Sequence, residues 1–440
     1  MMTSPYRLLA WAAAIALVRS VFARQQPMYR HLPSAISRSV RSTPFRAAAA
    51  TWVGTRPAIF LVGYLAIFVI GYAPDAKMND LRVFDSEVMN LPVRWDANWY
   101  LGVAIGGYSY DPAAGPEYQQ NIVFFPALPV TMRVVALLFG GSKAAYVLAG
   151  TVVSLGAFFG ALVYVYLLAR ENLDEDESRT ALWLLAAFPF AYFLGAIYTE
   201  SIFLLGAAGA FYHLERRQWV RAGFWALVVG LTKPNGFLLC VPLAILAISP
   251  WLPRRIVRAD DREAARAPVA HGAMSVVPAL AAAAMPGVGM LLFSAFIWHL
   301  TGAPFAWAQG HAAWGRHYTG LAVLVTDRYR YIANEGLTGY MSQVPLDFLN
   351  AIGVLFVLGT VWPVTRRLGL AYGVFILLSL LPALAEGGLL SSGRLSAVLF
   401  PAFIWFAGAV PVRHRAGWIA SFAANQALNA SLFYTWRQLF

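Results

Sequence analysis

The residues best able to do chemistry lie at Arg94-Trp95-Asp96, continuing through Ala97-Asn98-Trp99-Tyr100 to Gly107-Tyr108. They follow an apolar run from Pro57 to Tyr72 that reads as a membrane span. An acid just beyond a span, beside Arg94 and among Trp and Tyr side chains, sits in the headgroup layer and faces water. There it can take a proton from the hydroxyl of a lipid-borne substrate. The same aromatics also suit a plain interfacial anchor. Both readings stand on these residues alone.

Further charged groups sit inside or beside apolar runs. Glu200, in Tyr198-Thr199-Glu200-Ser201, is either a functional acid, a support for one, or a charge at a helix start, where Thr199 and the helix dipole favour it. Lys233, in Thr232-Lys233-Pro234-Asn235-Gly236, interrupts an apolar segment. A charge there costs about 2.5–3.5 kcal/mol unless it snorkels to an interface. Pro234-Asn235-Gly236 is a turn by local chemistry. Arg394 lies near the end of another span. Arg316 and His317 share a loop with Trp307, Trp314 and Tyr318, whose ring faces suit a sugar. Arg94, Lys233, Arg316, His317 and Arg394 are therefore the candidates to hold an anion, Arg as a fork and Lys as a point charge. His311 and His317, six apart and without a nearby acid, make a poor metal pair, and Asp111 and Glu117 have no ligand signature. No cofactor is expected; a divalent cation on Asp111 and Glu117 with Asp96 is the alternative, which their spacing does not support.

The elements that position these residues are membrane helices. The chain has 440 residues, 59% hydrophobic and 12% charged, against roughly 25% charged in soluble proteins. Repeated long apolar runs without polar alternation predict an all-α polytopic membrane protein rather than a barrel. The net charge is +12. Its arginines cluster in short loops between apolar runs, the positive-inside pattern, which argues against a nucleic-acid partner. Cys240 is the single cysteine and lies in an apolar run, so an intrachain disulfide and a Cys-based metal site are both excluded.

Residues 1–56 carry no acid. Leu8 to Val18 and Val21-Phe22-Ala23 have signal-peptide features. Arg24, Arg30, Arg38, Arg41, Arg46 and Arg56 instead predict a basic cytoplasmic extension, with Met28 as an alternative start. Residues 57–440 then form a single transmembrane domain of about 10–11 helices. Two long external loops are expected, near 75–120 and 301–345. Arg254 to Arg266, Arg366-Arg367 and Arg413-His414-Arg415 mark the cytoplasmic side. Spans are expected over Arg179 to Tyr198 and Val220 to Ile248, the latter broken at Lys233, the one interruption seen. Whether Phe124 to Phe139 crosses is open, and with it the topology of residues 121–236.

Several motifs, taken in order, resemble the PIG-V type mannosyltransferases, the group containing the transferase for the second mannose of GPI anchors together with bacterial relatives. They are Trp95-Asp96 with Tyr100 and Gly107-Tyr108, Phe124-Phe125-Pro126-Ala127-Leu128-Pro129, Tyr198-Thr199-Glu200-Ser201 and Thr232-Lys233-Pro234-Asn235-Gly236. Gly302-Ala303-Pro304-Phe305 with Gln309, Trp314, Gly315 and Arg316, and then Ser392 to Pro401, complete the series, with Leu395 where an aromatic often stands. The resemblance covers residues 57–411. It implies a GT-C architecture with a catalytic acid in the first external loop, a polyprenyl- or dolichyl-phosphate sugar donor and inverting transfer.

The chemistry fits that implication. Nucleotide sugars are not expected outside the cytoplasm, whereas a lipid-phosphate donor is. Glycoside hydrolysis needs an acid for a poor leaving group. A phosphate departs as a stable anion, so one carboxylate suffices as base on the acceptor hydroxyl. Asp96 is the expected base, with Arg94, Trp95, Tyr100, Glu200, Lys233, Asn235, Trp314, Arg316, His317 and Arg394 as substrate-binding candidates. The expectation is a mannosyltransferase of the bacterial plasma membrane, its site on the extracytoplasmic face, acting on a membrane-associated acceptor. A GT-C transferase for another lipid-linked sugar, or a secondary transporter, are the alternatives. Asp96, Glu200, Lys233 and Arg394 should converge.

Overall fold

The structure, a computed structural model, describes residues 43–74, 76, 82–115, 117–249 and 276–437. The extension at 1–42 and the basic loop from Arg254 to Arg266 lie outside the described residues. Among the described residues the chain is helical and forms no strand, as expected where lipid cannot satisfy backbone polar groups. Among the described residues, four helices are long and apolar enough to cross a bilayer: α1 (Thr43–Ile70), α4 (Lys143–Ala169), α9 (Val276–Thr301), and the pair α11 (Pro345–Gly359) and α12 (Val361–Arg367), which run on from one another. The polytopic all-α expectation is borne out.

The first span differs from its expected start. α1 begins at Thr43 and carries Pro57 within it, so the boundary placed at 56–57 falls inside a helix. A proline is a poor marker of a membrane helix start, because packed neighbours there satisfy the carbonyl it frees.

After α1 the chain forms a connecting segment containing α2 (Ala97–Gly106). α3 (Ala127–Leu138) follows; its 12 residues reach about 18 Å, short of a hydrocarbon core of about 30 Å. It turns back into α4 through Gly140 and Gly141, both at positive φ, where Ser142 caps the Ala145 amide. The acidic stretch after α4 starts α5 (Glu175–Ala187) with a capping box between Asp174 and Glu177. α6 (Glu200–Glu215) and α7 (Trp219–Gly230) form a hairpin. A 3-10 turn at Pro234–Leu239 leads into α8 (Cys240–Ile248).

Interruptions are more numerous than the one expected at Lys233. The span expected over 179–198 stops at Ala187 and gives way to a 3-10 turn at Ala191–Gly195 before α6. A further break separates α13 (Leu370–Ala385) from α15 (Phe400–Ala409) and holds the short α14 (Ser392–Ser396). Apolar composition runs through these breaks, so hydropathy alone hides them. Close packing shapes the Lys233 break: a Cβ on Gly230 would lie 2.0 Å from the Pro286 carbonyl oxygen.

The second long loop is largely helical. α10 (Leu321–Gln343) is kinked at Gly336 (φ 71°) and buries only Leu324 and Tyr340, so it lacks the apolar stripe that marks a helix in sequence. The last helix, α16 (Val412–Tyr434), returns to the end of α1, where Ala73 donates to the Thr435 carbonyl.

Two polar layers close the bundle. One joins Glu171 to Arg216, Glu177 to Arg415 (3.2 Å) and Glu215 to the Tyr372 hydroxyl (2.6 Å). The other holds Glu200. α6 begins at Glu200 and ends at Glu215, so the layers stand about 24 Å apart.

Candidate active site

The second polar layer is assembled where helices end. Asp96 occupies the N-cap position of α2, yet its side chain makes no capping bond. Instead Oδ2 accepts from Arg394 Nη1 at 3.0 Å. Trp95, just before it, has φ 54°, a left-handed conformation costing a non-glycine residue about 1–3 kcal/mol. The conformation is held by the Trp95 ring: Nε1 donates to the Phe433 carbonyl at 3.1 Å, and the ring packs on Trp436. Ser391, which leads into the short helix bearing Arg394, is likewise left-handed at φ 64°. That helix is anchored by Asn350, whose Oδ1 accepts from the Gly393 amide at 2.8 Å.

Glu200 is the first residue of α6, and Lys233 follows the end of α7. Lys233 Nζ lies 2.9 Å from Glu200 Oε1, and Arg394 Nε lies 3.3 Å from the same oxygen. The chain of charge thus runs Asp96–Arg394–Glu200–Lys233, with two acids against two cations. Exposure differs among its members. The Asp96 side chain keeps 25% of its exposure, Arg394 15%, Lys233 9% and Glu200 2%. Charges this buried are tolerated because each faces an opposite one. Asp96 is its most exposed member.

Other expected site residues divide. Tyr100 is buried on α2, its ring 6.3 Å from that of Tyr198. Its hydroxyl is pushed to a higher pKa by burial and next by the Glu200 charge, so it belongs to the cluster. Trp314 sets its edge against Trp99 (5.6 Å) and Phe124 (5.7 Å), while Trp99 stacks on Phe124. This aromatic group adjoins Tyr100, which meets Phe124 at 5.0 Å.

Five expected residues point elsewhere. The left-handed turn at Trp95 throws its neighbours apart: Arg94 donates to Glu87, to the Asn90 carbonyl and to the Tyr434 carbonyl. Trp95 packs beneath the turn. Asn235 Nδ2 donates to the Ser379 carbonyl at 3.0 Å and ties the break to α13. Arg316 pairs with Glu386 at 2.8 Å. His317 is exposed in the loop.

Two residues that matter here were not singled out from sequence. Tyr198 Oη accepts from the Asp96 amide at 3.1 Å. Arg56, grouped in sequence with the cytoplasmic arginines, is instead buried in the bundle. It donates to the carbonyls of Ala186 (2.8 Å) and Ala191 (2.7 Å). Gln426 donates to Ala186 as well, and Asn429 to the Pro189 carbonyl. Together they satisfy the carbonyls exposed where α5 ends, the partners a helix C-terminus lacks. The chain can therefore break inside the bundle and bring Tyr198 and Glu200 to the site.

A helical membrane protein with a mixed carboxylate–cation cluster at one polar layer is thereby defined. Residues 73–250 match the family model described as mannosyltransferase (PIG-V), the stretch that holds Asp96, Glu200 and Lys233. The resemblance seen in the ordered motifs is borne out over that stretch. Two solved structures are similar at 11% identity. The Archaeoglobus fulgidus oligosaccharyltransferase in complex with zinc and sulfate has TM-score 0.37, with 87% of this chain and 53% of that chain covered. The archaeal oligosaccharyltransferase AglB from Archaeoglobus fulgidus, with an inhibitory peptide and a dolichol-phosphate, has TM-score 0.38, with 88% and 56% covered. The chain spans about half the length of these structures. A comparison with curated proteins gave no match.

Proposed function

We propose that the chain is a GT-C-like transferase that moves a mannosyl group from a polyprenyl-phosphate donor to a membrane-associated acceptor, with inversion, at the extracytoplasmic face of a bacterial plasma membrane. Asp96 is the general base. The observation that carries this reading is the difference in exposure between the two acids of one charge chain. Asp96 keeps a quarter of its side-chain exposure while Glu200 has almost none. Asp96 is thus the acid an acceptor hydroxyl can meet, and Glu200 the one that holds the cations.

The leaving group supplies the remaining logic. A lipid phosphate departs without a proton, so a second acid is unnecessary, and its charge needs a cation. Arg394 is the more exposed of the two cations in the cluster. Before the donor binds, its guanidinium occupies Asp96 Oδ2. The donor phosphate competes for that guanidinium and leaves the carboxylate free to accept the acceptor proton. Lys233 holds Glu200 and keeps the buried charge balanced. In this mechanism protein cations neutralise the phosphate and no metal ion is used. Tyr100 and the Trp99–Phe124–Trp314 group border the place where the sugar would lie.

A second reading, a transporter, draws on the several interrupted helices that meet at this layer. One experiment separates them. Purified full-length protein in lipid vesicles is given radiolabelled polyprenyl-phosphate mannose and membrane-borne acceptors. The proposal expects label on the acceptor with inverted anomeric configuration. Vesicle uptake of substrate without transfer would replace it by the transporter. Preferred transfer from another polyprenyl-phosphate sugar would keep the class and change the sugar.

A further inference from the structure

We infer that Tyr198 is the positioning residue of this site, setting both Asp96 and Arg394 through one side chain; the inference rests on the reading of Asp96 as base. Its hydroxyl oxygen accepts the Asp96 amide proton at 3.1 Å. The Arg394 guanidinium carbon lies 5.4 Å from the centre of its ring, within cation–π range. Tyr198 therefore touches the backbone of the acid and the face of the cation that occupies it.

The placement explains why a tyrosine is needed. Asp96 follows a left-handed Trp95, and its side chain gives up helix capping to face Arg394. The hold on the Asp96 amide comes from a fully buried ring (0% exposed) packed against Phe193 at 5.1 Å and Phe433 at 6.1 Å. Pro92, upstream of the acid, is tied to the same strand of chain, its carbonyl accepting from the Ile197 amide at 3.1 Å. The stretch Ile197–Glu200 thus fixes the backbone before Asp96, the amide of Asp96 and, through Glu200, the Arg394 guanidinium. Phenylalanine would fill the same space and lose the bond to Asp96.

The test compares Tyr198→Phe with Asp96→Asn in the purified full-length protein. Misplacing a catalytic group by about 1 Å costs about 10²-fold in rate, so Tyr198→Phe should lower kcat by about 10- to 100-fold. Donor KM should stay near the wild-type value and the melting temperature should fall by no more than one lost hydrogen bond accounts for. Hydrogen exchange at the Asp96 amide should quicken. Added to Asp96→Asn, Tyr198→Phe should cause no further loss, because it acts through the missing carboxylate. Wild-type kcat in Tyr198→Phe, a loss that multiplies with that of Asp96→Asn, or a loss seen only as a lower melting temperature would each overturn the inference. If Asp96→Asn is inactive and Tyr198→Phe fully active, the positioning role fails and the base assignment stands. If Asp96→Asn is fully active, the base assignment itself fails and the inference falls with it.

Discussion

Glu200 offers the sharpest test of the cluster as a balanced charge system. Its carboxylate is 2% exposed, with Oε1 at 2.9 Å from Lys233 and 3.3 Å from Arg394. Two acids and two cations give a net charge of zero. Glu200→Gln keeps shape and volume but leaves the cluster at +1, with the Lys233 ammonium facing an amide. Removing one partner of a buried ion pair costs about 3–5 kcal/mol, because the other charge is stranded. A neutral hydrogen bond lost from the same place would cost only about 1 kcal/mol. Most of the deficit should therefore belong to Lys233, and adding Lys233→Met should restore more than half of it. Donor transfer should stay impaired in the double variant, since Arg394 has still lost its anchor. The assay is denaturant unfolding of purified protein in detergent for the wild type, both single variants and the double, read as a double-mutant cycle. An unfolding midpoint for Glu200→Gln equal to wild type, or a double variant as unstable as the sum of the singles, would refute the balance.

Arg56→Leu should cost about 2–5 kcal/mol, because the carbonyls of Ala186 and Ala191 lose a buried donor; the drop is read from the same unfolding assay and should come with reduced transfer, since the break they support positions Glu200. Gly393→Ala would set a Cβ 2.4 Å from Phe190 Cζ and should cost about 1–3 kcal/mol by overpacking; Phe190→Leu should recover part of it in a melt. His311 lies in the aromatic loop with Nδ1 donating to the Trp307 carbonyl, and burial holds its pKa down at about 4 against an ordinary 6.5. Between those values the unfolded loop takes up a proton that the folded loop refuses, so stability present above pH 6.5 is lost as the pH falls toward 4. Limited proteolysis across residues 302–320 should speed up over that window, and His311→Gln should flatten the response.

How far the site could be read from sequence follows from where each side chain's partner lies. Asp96 stood out as an acid just beyond a span among aromatics, and Glu200, Lys233 and Arg394 as charges in or beside apolar runs; the structure joins them, Asp96 to Arg394 across 298 positions of sequence. Arg94 stood out as the basic neighbour of Asp96 and points away, because the sense of a turn at a left-handed tryptophan is not written in residue type. Arg316 carries a free-looking charge in sequence and finds Glu386 in space. Arg56 read as one of a basic run, since sequence shows its arginine neighbours and hides the end of α5 that it caps. The helical class and the spans were legible in hydropathy. The interruptions at Ala187 and at Glu386–Leu399 were not, because apolar residues continue through them while buried polar side chains take up the broken backbone. Tyr198 was visible as part of a motif, but a ring in an apolar stretch carries no sign that its hydroxyl has a task.

The central claim is that Asp96 is the base of a lipid-linked sugar transfer. Its most direct measurement is the single-turnover rate of label transfer from radiolabelled polyprenyl-phosphate mannose by wild-type protein and by Asp96→Asn, at matched unfolding stability. General base catalysis is worth about 10²–10⁴-fold, and the account predicts a loss in that range for Asp96→Asn with donor binding retained. Transfer by Asp96→Asn at the wild-type rate would contradict it.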